Sequence, residues 1–463
     1  MNQVDDNSTL LTEGPVLKAL GSIMLPMAIM MVTSITFSYL DAWYVSRLGE
    51  DALNAIDISF PLVNVCSAIL YGGLGTGVSA AVARRHALNE KGASETCLKT
   101  GFILAIPLSL IFTLGIIFGR GFLFSEAKNA ASEAMAYEYC FWYFMPILIM
   151  SLGAVTSSAM RGAGYAKKPA IYSLICMLIN AILTPLFCFN SLKLGFVEIP
   201  IGLGMGIKGA AISTVVAYVL FSGLLCKDLF NGSQGLKFST FSFVPDKIIF
   251  KSIFNASAIA ALLPMMTNVV IYIMLRLMNN RSDTMVDAFS LAKRFELYMI
   301  QLTVCLGASA MIVIGASHAI GNTQRVREVL KTSLRILFIA GIPITIIMIF
   351  ANQFYYHSLT SKPEIILEGG RYFLYGSLNM LFMTALILIN FCFQGLGKPA
   401  LPIPYTLSSV IFIQGLGGWY LINNGYSSSL YYGIMSIGTT ITFFLILGIF
   451  YKALEKDSVK SHS

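Results

Sequence analysis

Residues 100–119 read TGFILAIPLSLIFTLGIIFG, a run of twenty without one charged side chain. At a rise of about 1.5 Å per residue, a helix of that length spans roughly 30 Å, the depth of a bilayer's hydrocarbon core. The apolar run that holds it covers 97–119, and eleven others of helical length lie outward on both sides. They fall near 19–46, 53–80, 135–159, 169–189 and 207–229, then near 248–278, 286–314, 331–352, 371–394, 399–423 and 428–452. Of the 463 residues, 56% are hydrophobic and 12% charged, about half the charged share of a soluble chain. The pattern predicts an all-α polytopic membrane protein with twelve transmembrane helices. The connections are short and leave no room for a soluble catalytic domain.

The net charge of +8 raises the question of nucleic acid, but the basic residues sit in short loops between apolar runs. There they set topology, so no nucleic-acid partner is expected. Lys and Arg counted on alternate sides give twenty against nine. The richer side carries Arg84, Arg85, Lys167, Lys168, Arg325, Arg327 and Lys456 and is expected to be cytoplasmic, with both termini on it, in the cytoplasmic (inner) membrane. The first fifteen residues are polar and slightly acidic (Asp5, Asp6, Glu13), without the basic segment that opens a signal peptide. Eight cysteines and four histidines are scattered. Neither a disulfide framework nor a metal site is indicated, and no cofactor is expected beyond a coupling ion.

The two halves resemble each other. Gly75-Thr76-Gly77 and Arg84-Arg85-His86 recur as Gly307-Ala308-Ser309 and Ala316-Ser317-His318 at a shift of 232 residues, and Arg161-Gly162-Ala163-Gly164 meets Gln394-Gly395-Leu396-Gly397 at 233. With six runs in each half, this predicts a tandem duplication whose copies run in the same sense, related by an axis along the membrane normal. The expected organisation is a cytoplasmic tail (1–18), an N-lobe (19–229), a cytoplasmic linker (230–247), a C-lobe (248–452) and a C-terminal tail (453–463).

Leu40-Asp41-Ala42-Trp43-Tyr44-Val45-Ser46-Arg47-Leu48-Gly49 resembles the first-helix segment of the multidrug and toxic compound extrusion (MATE) family. Phe60-Pro61-Leu62, the Gly75–Arg84 stretch, Arg161–Gly164 with Lys168-Pro169, Asn180–Leu186 and Gly206–Thr214 are similar to further family segments, in the same order over essentially the whole chain. The resemblance implies two six-helix lobes arranged in a V. It also implies export of a cationic or amphipathic drug in exchange for H⁺ or Na⁺. Where many relatives carry Asp at the end of N-x-x-L-D-P, this chain has Thr184. The seventh helix lacks Glu, and the tenth has Asn379 in place of Asp, so the second-lobe Na⁺ site of one branch is expected to be absent. Asp41 with Arg294 and Glu296 resembles the DinF-like branch, and H⁺ coupling is the expectation.

Asp41 lies about five residues inside the outer end of its helix, roughly 7–8 Å of rise. An ionisable group at that depth costs a few kcal/mol unless it faces protein or water. Ser34, Ser38 and Asp41 share one face, which predicts a polar stripe toward a cavity that Tyr44 also serves. Removal from water favours the neutral acid, and a carboxyl that can change protonation across the membrane can carry a proton. The bland alternative is an interfacial Asp paired with Arg47. Asn180 and Thr184, four apart, can coordinate a cation or hydrogen-bond a carboxyl, or serve as interhelical glue. Thr214 is a weaker candidate, since helical Thr commonly bonds its own backbone. Asp57 would perturb Asp41 if the two lie close, and otherwise it is a helix-start acid. Lys293 and Glu296, three apart, are expected to pair, with Arg294 pointing elsewhere. These three and Asn379 either line a substrate cavity or form a self-compensated network. Met265, Met266, Met380 and Met383 suit an adaptable drug cavity, and Pro26, Pro61, Pro146, Pro185 and Pro264 are candidate hinges.

These features predict a secondary antiporter, and not an enzyme: a membrane-embedded transferase would need a cluster of Asp, His or Cys near a loop, and the sequence has none. The alternative is a flippase of lipid-linked oligosaccharide, which needs more cationic side chains than Lys293 and Arg294 supply. The expected partners are small organic cations or amphipathic drugs and the lipid bilayer, and the expected state is a monomer.

Overall fold

A computed structural model describes residues 9–88, 92–125, 127–194, 197–199, 202–232, 246–279 and 282–460. Twelve long helices account for nearly all of them. The first half holds α1 (Val16–Ser46), α2 (Glu50–Ala87), α3 (Ala93–Phe118), α4 (Ala130–Phe144 continued by Ile147–Gly162), α5 (Lys167–Cys188) and α6 (Ile207–Phe230). The second holds α7 (Lys247–Asn279), α8 (Asp283–Ala319), α9 (Thr323–His357), α10 (Pro363–Gly395), α11 (403–423) and α12 (Ser428–Lys460). Ten of these are long and apolar enough to cross a bilayer singly, and α4 qualifies with its two segments taken together. A hairpin of β1 (Leu192–Leu194) and β2 (Val197–Ile199) joins α5 to α6, with Leu192 opposite Ile199. Phe118, Phe350 and Phe354 are 81–83% exposed, a surface that only lipid would cover favourably.

Helix ends outrun the apolar runs. The α8 to α10 helices start or finish several residues beyond the hydrophobic stretches, because helical hydrogen bonding continues past the bilayer core into polar turns. Two helices carry π segments: Ala68–Leu74 inside α2 and Ser409–Gly417 inside α11. Of the expected hinge prolines, Pro146 breaks α4 by 51°. Pro26, Pro61, Pro185 and Pro264 lie inside continuous helices, each removing one backbone donor.

The chain divides into two compact units, Leu25–Ala261 and Leu10–Met24 with Leu262 onward. Both cuts run through helices, just before Pro26 in α1 and Pro264 in α7. Arg325 ties the segment just before α1 into the second unit: its side chain donates to the carbonyls of Leu11 (3.1 Å) and Leu10 (3.2 Å). The stretch expected as linker runs between Phe230 and Lys247, and 233–245 of it lies outside the described residues.

The repeat seen in the sequence has a counterpart in packing. A Cβ on Gly162 would stand 2.5 Å from the Ser79 carbonyl oxygen, and one on Gly395 would stand 2.7 Å from that of Met311. Ser79 and Met311 are themselves 232 residues apart. Likewise Gly75 abuts Ser158 of α4, and Gly307 abuts Phe391 of α10, again at equivalent positions. The α2–α4 crossing in one unit is thus repeated as α8–α10 in the other. Where lipid tails offer no hydrophobic drive between helices, such small-residue crossings let backbones approach closely. An ion pair repeats too: Lys168 meets Asp228 at 2.8 Å and Lys398 meets Asp457 at 2.6 Å.

Candidate functional site

Asp41 sits near the end of α1 and is 9% exposed. Its carboxylate faces two helices of the same unit. The Thr184 hydroxyl of α5 lies 3.3 Å from Oδ1, and the Thr214 hydroxyl of α6 lies 2.9 Å from Oδ2. Ser213 extends the cluster, its hydroxyl 2.8 Å from that of Thr184. Both Ser213 and Thr214 also reach the carbonyl of Ala210, each at 2.9 Å. Among the described residues no ion pair reaches Asp41. Arg47, the partner of the bland alternative, stacks instead on Trp43, 3.9 Å from the ring centroid.

The hydroxyls make this a two-position site, because each carries one proton and has two acceptors within reach. With Asp41 ionised, Thr184 and Thr214 both turn their protons to the carboxylate. With Asp41 protonated, the acid donates to Thr214, whose hydroxyl then donates its hydrogen bond to the Ala210 carbonyl. Either state is hydrogen-bonded without any backbone movement. A site of this kind holds a proton, and its carboxylate and hydroxyl oxygens also suit a hard cation.

The other expected residues are placed as follows. Asn180 is buried on the face of α5 that bears Thr184, and its Nδ2 has no partner among the described residues. The Tyr44 hydroxyl donates to the Ala181 carbonyl at 3.4 Å. Asp57 is exposed on α2 and makes no bond to this cluster. Ser34 lines a cavity of about 260 Å³ within the first unit, together with Thr33, Phe37, Tyr71, Arg161 and Tyr218. Ser38 is exposed and is not among its lining residues.

In the second unit Glu296 is 3% exposed. Lys293 pairs with it at 2.6 Å, and the Tyr372 hydroxyl donates to it at 2.9 Å. Lys293 also lies 5.3 Å from the centroid of the Phe289 ring. Arg294, one residue on, is exposed. Asn379 forms a separate neutral cluster, accepting from Thr439 (2.7 Å), which in turn accepts from Gln414 of the π segment (3.3 Å). The reading from sequence missed Ser213, Tyr372, Thr439 and Gln414. Ser213 alone had a local signal, lying beside Thr214; the rest meet partners 25 to 76 residues away.

Twelve helices, an internal repeat and a buried, hydroxyl-held carboxyl inside one lobe define a multi-pass membrane transporter. The MatE family matches residues 26–186 and 256–419, and the chain belongs to it. Among curated proteins it is 24% identical to the FAD transporter of Shewanella oneidensis, over 82% of this chain and 86% of that one. It is 22% identical to the probable multidrug resistance protein YoeA of Bacillus subtilis, over 80% and 82%. Among solved structures, a MOP-superfamily transporter from Pyrococcus furiosus shares the fold with a TM-score of 0.85 at 19% identity, covering 97% of this chain and 98% of that one.

Proposed function

We propose that this chain is a secondary antiporter that exports amphipathic organic compounds in exchange for protons, with Asp41 as the coupling group. The observation that carries the reading is the Asp41 cluster: a carboxyl buried in a membrane helix, without a counter-charge among the described residues, whose hydroxyl partners serve both protonation states. Proton uptake from outside neutralises the site, and release on the other side restores the carboxylate. Coupling follows if the protonated and cargo-bound forms prefer different conformations. Relatives named FAD transporter and probable multidrug resistance protein support an organic cargo. The basic loops favour cytoplasmic termini in the inner membrane, and each lobe carries its own core, which is compatible with a working monomer. The test is reconstitution in liposomes, with cargo movement followed under an imposed pH gradient and then under a Na⁺ gradient. Movement under the pH gradient alone supports the reading. Movement only under the Na⁺ gradient replaces the coupling ion, and none under either favours the flippase.

A further inference from the structure

Residues 336–356 of α9 hold no charged side chain. At about 1.5 Å per residue they span roughly 30 Å, the depth of the hydrocarbon core. Arg335 and Lys331 stand at the edge of that stretch, one turn apart and both exposed. They head a groove of about 600 Å³ that runs along α9 as far as Pro343. The rest of its wall is apolar, formed by Leu334, Phe338, Ile339, Ile342 and Pro343. Phe338 gives the groove a fixed back, meeting Phe382 of α10 at 5.9 Å and Phe443 of α12 at 6.1 Å between ring centroids. Ile339 is 75% exposed, an apolar surface that gains by being covered.

The internal repeat shows that the charge on this face is particular to the second unit. Leu98-Lys99-Thr100 of α3 recurs as Leu330-Lys331-Thr332 of α9, at the same shift of 232 residues that relates the halves. In α3, Lys99 pairs with Glu95 one turn before it, at 2.9 Å, and Ile103 follows one turn later. The matching positions around Lys331 are Arg327 and Arg335. A cation thus stands where α3 has a carboxylate, and another where α3 has an apolar side chain. Like charges at successive turns destabilise an isolated helix. Arg327 reaches Glu455 of α12 at 3.8 Å. Neither Lys331 nor Arg335 has an ion pair or side-chain hydrogen bond among the described residues. Glu328, three residues before Lys331, is exposed and lies outside the groove wall.

We propose that this groove seats one phospholipid with an anionic headgroup, its phosphate between Lys331 and Arg335 and one acyl chain along Ile339 and Ile342 to Pro343. An ammonium and a guanidinium at the core's edge supply the charge that a lipid phosphate needs, and the lipid supplies the anion that the helix lacks. From Lys331 to Pro343 the helix rises about 18 Å, and the chains of one leaflet reach roughly 15 Å to the midplane, so headgroup and chain match the groove in length. A zwitterionic headgroup brings its own cation to the two basic side chains and is disfavoured there. The site is independent of what the transporter carries and of the ion that drives it.

The test is native mass spectrometry of the purified full chain in a neutral detergent, titrated with dioleoylphosphatidylglycerol or with dioleoylphosphatidylcholine. Each basic side chain near a membrane surface gives a several-fold preference for anionic lipid. The first lipid retained is therefore expected to bind about tenfold tighter or more when it is phosphatidylglycerol. Glycerophosphoglycerol, the same headgroup without chains, and inorganic phosphate should not compete at equal concentration. Lys331→Gln combined with Arg335→Gln removes the preference. Lys452→Gln combined with Lys456→Gln, which removes two exposed charges from α12 of the same unit, leaves it in place. Should the α9 double variant be unstable, Arg335→Ile, the residue α3 has there, decides instead, with Lys331→Arg expected to keep the preference. A ratio below tenfold, a preference that survives the α9 substitutions, or an equal loss in the α12 control overturns the proposal. Competition by the chainless headgroup or by phosphate overturns it too, since the groove would then hold a free anion and no lipid.

Discussion

Asp41 divides its two carboxylate oxygens between hydroxyls on α5 and α6, so substitutions there separate charge from shape. Asp41→Asn keeps the size and mimics the protonated acid. The variant is expected to fold, with a melting temperature at or above that of the parent, and to lose gradient-driven transport by more than tenfold in liposomes. Thr214→Ala removes the shorter of the two donors. A hydrogen bond to a charged group contributes about 1.5–3 kcal/mol, so the carboxylate is disfavoured and the pH profile of transport moves to higher pH. A profile left in place would show that Thr214 does not hold the ionised form. In the second unit, Glu296→Leu alone strands Lys293 beside an apolar neighbour, and breaking a buried pair this way costs roughly 3–5 kcal/mol. Adding Lys293→Leu should recover most of that loss in thermal unfolding. Asp41 and Thr214 were legible in the sequence because a lone acid inside an apolar run, and a hydroxyl on a neighbouring family segment, are both visible locally. Tyr372 was not, since its bond to Glu296 joins residues 76 apart and leaves no local pattern.

At the scale of the helix, glycines set how closely α4 crosses α2 and α10 crosses α8. Gly162 and Gly395 face backbone carbonyls that cannot move without moving a helix. Gly162→Leu and Gly395→Leu should therefore each destabilise their own unit, by about 2 kcal/mol or more given the cost of overpacking. Gly223→Ala, where nothing lies within 4 Å of the added Cβ, is expected to be neutral or mildly stabilising. Comparable melting temperatures for all three variants would contradict the packing argument. The apolar runs located all twelve helices, because period and length are written in side-chain chemistry. They did not reveal the π segments of α2 and α11. Those are decided by how a helix adjusts its backbone bonds against neighbours, and a hydropathy pattern carries no trace of that choice.

At the scale of the whole molecule, the duplication was visible as two short matches at nearly one shift, and packing turns it into paired crossings and paired ion pairs. The unit boundaries were hidden, because they run through α1 and α7 beside Pro26 and Pro264 rather than through a polar linker. The halves are alike in frame and unlike in chemistry. One holds a carboxyl among hydroxyls; the corresponding end of the other holds the neutral Asn379, Thr439 and Gln414 cluster beside a separate Lys293–Glu296 pair. Under the proposed antiport, proton exchange belongs to the first unit. The most direct test is to reconstitute the parent and the Asp41→Asn protein side by side and measure cargo accumulation together with proton release under an imposed pH gradient. The account predicts coupled fluxes in the parent and neither above background in the variant. Undiminished, pH-driven cargo movement in Asp41→Asn would contradict it.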